Sequence, residues 1–218
     1  MPDRIAYYSY AHVPWIKPGQ RRFTEADLPV DDEKRNLYEC GRALLLKAGY
    51  LDIGMDHFSL PGDSLLKASR FGKLHRNFMG YTHQYTKLSI GLGISAIGDS
   101  WYGFAQNVKS VETYLQNIAE GTFPLVKGHT LTSEDLMIRR IILDIMCLGK
   151  AKLSADSLIY ANFLTRLKPL LDDGLVLIND NKLNVTKSGR AFLRNICMCF
   201  DQKLALNVPQ TQIFSTAV

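Results

Sequence analysis

The sequence predicts an α/β chain, with an alternating first part over residues 1–131 and a mostly helical second part over 132–218. Three observations carry this. Before Thr130-Leu131-Thr132, short runs rich in β-branched and aromatic residues alternate with helical periodicity. After it, helical spacing dominates. The second part orders as helix, helix, hairpin, helix, which is a winged-helix-like sequence of elements.

The elements follow in order. Residues 4–10 (Arg-Ile-Ala-Tyr-Tyr-Ser-Tyr) read as a strand, and Pro14 and Pro18-Gly19 then force a loop. Asp31 or Asp32 is placed to cap a helix whose apolar positions include Leu37, Cys40, Leu44 and Leu45, closed by Gly49. Residues 50–55 read as the next strand, so the first and second strands are expected to run parallel across a βαβ crossover. Pro61-Gly62-Asp63 opens a short helix to about Gly72, and 87–97 reads as a buried strand or pair of strands. A helix is expected over 108–119. Two or three such units are too few to close a barrel, which takes ~250 residues for eight. The chain therefore reads as the back portion of something larger.

In the second part, Ser133-Glu134-Asp135 precedes a helix over 136–147, and Ser154 is placed to cap a short segment. A helix over 160–171 ends at Asp172-Asp173-Gly174. Residues 175–178 and 182–185 read as a hairpin over Asn179-Asp180-Asn181, and Thr186 is placed to cap the last helix.

Composition narrows the function classes. The 218 residues are 46% hydrophobic and 22% charged, the balance of a globular protein. No run reaches the ~18 apolar residues of a membrane span, and Met1-Pro2-Asp3-Arg4 lacks a signal-peptide layout. Four dispersed cysteines make no disulfide framework, so a reducing, cytoplasmic setting is expected. The net charge of +5 permits an anionic ligand. Nucleic acid is not expected: the would-be reading helix over 160–171 offers only Arg166 and Lys168 and runs into two aspartates.

Other motifs weigh less. Gly91-Leu92-Gly93-Ile94-Ser95-Ala96 matches a dinucleotide fingerprint, but the chain continues as strand rather than entering a helix, so the glycines are read as letting the backbone approach a ligand closely or turn at a sheet edge. Cys197 and Cys199 on a helix do not share a face, and no histidine pair has ligand spacing, so no metal site is expected from spacing. His12, Asp56-His57 and His75-Arg76-Asn77 stand at expected strand ends or loops, where parallel α/β folds carry their chemistry.

Several segments together carry a resemblance. They are Tyr10-Ala11-His12-Val13-Pro14, Ile53-Gly54-Met55-Asp56-His57-Phe58, Leu74-His75-Arg76-Asn77-Phe78-Met79-Gly80, Gly93-Ile94-Ser95-Ala96-Ile97-Gly98-Asp99 and Arg194-Asn195-Ile196-Cys197-Met198-Cys199-Phe200-Asp201. Their order and spacing resemble the oxygen-independent coproporphyrinogen III oxidases of the radical S-adenosylmethionine superfamily. The resemblance implies a fold: 1–131 as the C-terminal portion of a partial (β/α) barrel, and 132–218 as a winged-helix-like domain. It implies a reaction: two propionates of coproporphyrinogen III become vinyl groups of protoporphyrinogen IX in heme biosynthesis. It implies cofactors: S-adenosylmethionine and a 4Fe–4S cluster, which together supply a 5′-deoxyadenosyl radical. Ala11, Phe78, Met79 and Ile97 match cofactor-binding positions. Met79 stands where some members have Gln, and a thioether lacks an amide's donors; His83 differs likewise.

The family's C-x-x-x-C-x-x-C cluster motif has no counterpart among Cys40, Cys147, Cys197 and Cys199. The chain is thus expected to be a C-terminal portion with no catalytic or metal residue of its own, inactive alone and partnered by the first half of the barrel. An exposed strand edge near 4–10 would favour self-association. Other readings are a heme-binding look-alike of the same superfamily, or a winged-helix interaction module.

Overall fold

The computed structural model describes residues 1–15, 17–153 and 158–206. It is an α/β structure whose described strand pairs are all antiparallel. The first sheet contains β1 (Arg4–Ala6), β2 (Leu51–Gly54) and β3 (His57–Ser59), in the order β1-β3-β2. β1 and β2 do run the same way, but they are not neighbours as a βαβ crossover would make them. β3 fills the slot between them. The cause is local: Gly54, Met55 and Asp56 take φ of 128°, 42° and 68°, which reverses the chain at once.

β1 is also shorter than the expected 4–10. The ladder ends on Tyr7, whose N–H donates to the Asp56 carbonyl at 2.8 Å while its ring stacks on Tyr38 at 5.4 Å and its hydroxyl donates to the Leu37 carbonyl at 3.3 Å. Tyr38 and Leu37 lie on α1 (Asp31–Lys47), the connection between β1 and β2. Its N-cap is Val30, without a side-chain bond, so neither Asp31 nor Asp32 caps it. They stand with Glu33 in the first turn, where negative charge meets the helix dipole.

α2 (Ser64–Arg70) starts as expected, with the Asp63 carboxylate accepting from the Leu65 N–H at 2.6 Å. Its Leu65, Leu66 and Ala68 are buried with Ile53, Leu74 and Tyr81 in a first core. β4 (His75–Asn77) and β5 (Gly80–Thr82) then form a hairpin. His75-Arg76-Asn77 is therefore a strand and not the expected loop. Arg76 lies opposite Tyr81, its guanidinium 4.8 Å from the ring centroid.

A four-stranded meander follows: β6 (Leu88–Ser89), β7 (Ile97–Ser100), β8 (Gly103–Asn107) and, after α3 (Val111–Ala119), β9 (Leu125–Thr130). The expected buried strand over 87–97 is mostly an exposed loop, with Ile90 72% and Leu92 84% accessible. Gly93 and Ser95 take φ of 89° and 61°, which breaks the extended run. Buried Asn107 holds the loop by donating to the Gly91 and Gly93 carbonyls at 3.0 and 2.8 Å. The close approach at Gly91 is to the chain's own backbone and not to a ligand: a Cβ there would lie 2.8 Å from the Ile97 carbonyl carbon. β9 was not expected from the sequence.

The second part contains α4 (Ser133–Leu148), β10 (Lys150–Lys152), α5 (Leu158–Asp172), β11 (Val176–Asn179), β12 (Lys182–Val185), α6 (Leu193–Met198) and α7 (Gln202–Leu206). Thr132 and Asp135 form a capping box at the start of α4. The hairpin over 176–185 turns on Asp180 and Asn181, both at positive φ, and β10 adds a third strand in the order β10-β12-β11. Thr186 bonds the Gly189 N–H and precedes a 3-10 turn, Ser188–Phe192, rather than capping an α-helix directly. The position expected to cap at Ser154 lies outside the described residues.

A second core joins Ile145, Phe163, Leu167, Val176, Leu183, Ile196 and Phe200, all at most 2% exposed. Met55 packs against it, and the Tyr81 hydroxyl donates to the Met146 carbonyl at 2.8 Å. The two parts are thus in contact through the β2–β3 turn, β5 and α4. No described helix is long and apolar enough to cross a membrane.

Candidate functional site

Phe78 and Ile97 lie on one face of the meander. Cross-strand partners share a face, so Ile97 and Asp99 of β7 stand beside Gln106 and Phe104 of β8. Phe78, at the tip of the β4–β5 hairpin, packs edge-on against Phe104 at 5.0 Å. Phe78 remains 56% exposed and Met79 beside it 91%. The hairpin tip is therefore an apolar surface open to whatever binds there, with the Met79 N–H donating to the Asn77 side chain at 2.9 Å. Ala11 is exposed in the loop after β1, part of a different sheet, where its carbonyl accepts from Gln20 at 3.1 Å.

Arg139 anchors this face from α4. It pairs with Asp99 at 2.7 Å, donates to the Ser100 and Trp101 carbonyls at 2.6 and 3.1 Å, and lies 4.8 Å from the Phe104 ring centroid. The sequence reading missed this arginine, which is one of two adjacent arginines on an apolar-striped helix. His75 stands near it: burial, and then Arg139, hold the imidazole below its ordinary pKa, so it is neutral near pH 7.

The other singled-out histidines take separate places. His57 Nδ1 donates to the Met55 carbonyl at 2.8 Å, which leaves Nε2 to accept from the Tyr8 hydroxyl at 3.4 Å. His12 is buried between Tyr10 and Phe23, with Nδ1 unpartnered. These residues do not form one loop-lined face of a parallel sheet, because the sheets are antiparallel and His75 is within a strand.

The thiols do not fit an iron–sulfur cluster. Burial pushes Cys147 and Cys197 up to about 12 and also raises Cys199, so they are protonated thiols at neutral pH. Cys197 belongs to the second core, and the Cys199 thiol donates to the Arg166 carbonyl at 3.4 Å. Cys40 is exposed on α1. Among the described residues, no three His, Cys, Asp or Glu side chains are grouped to hold a metal ion.

No protein-family model matches the chain. Individual relatives do. The oxygen-independent coproporphyrinogen III oxidase of Salmonella typhimurium is 40% identical over 211 residues, covering 93% of this chain and 46% of the relative. The namesake from Thermostichus vulcanus is 37% identical over 226 residues, covering the whole chain and 69% of the relative. The chain belongs to the oxygen-independent coproporphyrinogen III oxidase family. A solved coproporphyrinogen III oxidase from Escherichia coli, HemN, described as a radical SAM enzyme, superimposes with a TM-score of 0.86 at 40% identity. That match covers 94% of this chain and 49% of the other. The chain spans about half the length of most of the curated oxidases it matches.

Proposed function

We propose that the chain is a portion of an oxygen-independent coproporphyrinogen III oxidase. Its reaction is the oxidative decarboxylation of two propionates of coproporphyrinogen III to the vinyl groups of protoporphyrinogen IX, in a cytoplasmic heme pathway. The observation that carries this is agreement along nearly the whole chain, in sequence and in fold, with the Escherichia coli enzyme. In the family, S-adenosylmethionine and a 4Fe–4S cluster supply the 5′-deoxyadenosyl radical that takes a hydrogen from the propionate β-carbon. Cys40, Cys147, Cys197 and Cys199 do not fit that cluster, so its ligands come from the first half of the barrel and the chain alone is inactive.

This chain's contribution is the wall of the cofactor site. Phe78, Met79 and Ile97 offer an apolar surface against S-adenosylmethionine, and the small side chain of Ala11 lets the ligand lie against backbone. Apolar side chains suit a radical reaction, which water-free walls protect from quenching. Residues 1–131 complete the partial barrel, and 132–218 form the winged-helix-like domain that braces it through α4. The test is to join the chain to a cluster-bearing first half and assay carbon dioxide and protoporphyrinogen anaerobically. Decarboxylation is the expected result. A loaded cluster with S-adenosylmethionine present and no decarboxylation would overturn the reading.

A further inference from the structure

Between β1 and α1 the chain passes Ala11, His12 and Val13 outside any described sheet. Their backbone is held by a side chain instead of a strand. Gln20 stands in a 3-10 turn, Pro18–Arg22, and reaches back seven and nine residues. Its Oε1 accepts from the Val13 N–H at 2.7 Å, and its Nε2 donates to the Ala11 carbonyl at 3.1 Å. These partners fix which way the amide faces, because a backbone N–H only donates and a carbonyl only accepts. One amide thus bonds the two backbone groups that flank His12. Two neighbouring bonds close the loop: the Lys17 N–H donates to the Val13 carbonyl and Arg21 Nε to the Pro14 carbonyl, each at 2.9 Å.

The clamp decides what the segment presents. Tyr10 and His12 lie together, their ring centroids 6.1 Å apart, and His12 packs on Phe23 at 5.2 Å. His12 is only 8% exposed, while Ala11 between it and Tyr10 faces outward, which is the alternation of extended backbone. The enclosed His12 Nδ1 has no partner, so the described groups of this chain leave a polar atom unsatisfied directly beside Ala11. The Ala11 N–H also makes no hydrogen bond among the described residues. An exposed methyl side chain next to an open donor suits S-adenosylmethionine, which offers acceptor nitrogens and oxygens around a flat ring.

We propose that Gln20 is a positioning residue for S-adenosylmethionine. Its amide holds the Ala11 carbonyl and the Val13 N–H, and so keeps the Ala11 backbone turned to the ligand. The inference rests on the cofactor reading of Ala11 given above. Gln20 acts through this backbone and does not touch the reacting atoms. The chemistry requires an amide and not merely a side chain of its size. A carboxylate would still accept from Val13, but would set its second oxygen against the Ala11 carbonyl, acceptor against acceptor.

The experiment measures S-adenosylmethionine binding by equilibrium dialysis, without reductant, in the chain joined to a cluster-bearing first half. Gln20→Ala is expected to raise the dissociation constant roughly tenfold, the effect of one or two lost neutral hydrogen bonds. Gln20→Glu should weaken binding as much at pH 8 and recover towards the parent, compared at each pH, as the pH falls to 5.5. A protonated carboxyl donates and accepts as the amide does, and facing a carbonyl it titrates above the ordinary carboxylate range. Arg21→Ala removes only the bond to Pro14 and should bind nearly as the parent does. Urea midpoints of the same proteins report loop packing separately. Parental binding in both Gln20 variants, even with lowered midpoints, would leave Gln20 a packing residue and overturn the proposal. So would a Gln20→Glu variant that does not recover in acid, or equal weakening in Arg21→Ala. A parent that binds no S-adenosylmethionine overturns the cofactor reading and this inference together, whereas a parent that binds it no better than the Gln20 variants overturns this inference alone.

Discussion

Arg139 and Asp99 form a 2.7 Å ion pair with side chains only 14% and 12% exposed, tying α4 to the edge of β7. Three of the guanidinium's hydrogen bonds end on the segment Asp99–Trp101, so one residue fixes the β7–β8 turn against the second part. Removing one partner leaves the other charge poorly solvated. Arg139→Ala should therefore cost about 3 kcal/mol of stability, seen as a lower urea midpoint with little change in slope. Asp99→Asn should cost less, because the amide oxygen still accepts. A double-mutant cycle that gave no coupling would show the pair to be incidental.

His75 makes the fold sensitive to mild acid. Its pKa is depressed in the folded state by burial and by Arg139, so the unfolded chain binds the proton more readily. Its contribution is fully present above the ordinary histidine value near 6.5 and is lost as pH falls from there through the folded-state value. Thermal melts at pH 7.5 and 5.5 should show a drop in Tm that is smaller in His75→Gln. An equal drop in both proteins would assign the acid sensitivity to other groups.

The cysteines should behave as packing residues. With Cys147 and Cys197 pushed up to about 12 and Cys197 in the second core, alkylation of the native chain at pH 8 should label Cys40 rapidly and those two only on unfolding. Anaerobic iron–sulfur reconstitution of the chain alone should yield no stable visible band. A band that disappears in a Cys197→Ala/Cys199→Ala variant would show that these thiols do hold a cluster.

The edge of β1 should promote self-association. β1 is an outer strand of its sheet, and Tyr8 and Tyr10 just beyond it are 57% and 49% exposed. Light scattering of the chain at high concentration should show dimers or larger species, reduced when Ala6→Pro removes an outward-facing edge donor, since Asp3 and Tyr7 direct their backbone groups to β3 and leave Ala6 turned away from it. A monodisperse monomer would refute this.

The sequence revealed elements where local chemistry decides and misled where long-range pairing does. Asp63 capping α2, the Asp180-Asn181 turn and the helices about α4 and α5 were legible because caps, turn residues and apolar spacing act within a few positions. The pairing of β1 was not: the three consecutive positive-φ residues at 54–56 look in sequence like the end of a strand, and only the folded sheet shows β3 inserted beside β1. Residues 87–97 carry strand-like composition, yet Asn107 captures their carbonyls and leaves Ile90 and Leu92 outside. Phe78 and Ile97 were named through family resemblance. Arg139 was not, because nothing local in an amphipathic helix distinguishes an arginine that reaches a distant aspartate from one that faces water.

The shared face of Phe78 and Ile97 makes the sharpest prediction for the complete enzyme. Phe78 rests on Phe104 and is otherwise open, so truncating it to alanine removes surface a ligand would touch while leaving the two cores intact. Ile97→Asp instead places a charge on the same face, one pair away from Asp99, where it would repel an anionic group and draw in water. A displacement of ~1 Å at a reacting centre costs ~100-fold in rate when geometry controls the step. Both variants, joined to the first half of the barrel and with cluster content matched to the parent, should lose decarboxylation by that order while their urea midpoints change much less in Phe78→Ala than in Arg139→Ala. The contrast separates the two roles: Arg139 acts through stability, Phe78 through the ligand. If Phe78→Ala and Ile97→Asp both retain near-parental rates with intact clusters, these side chains are packing residues and the cofactor wall lies elsewhere in the chain.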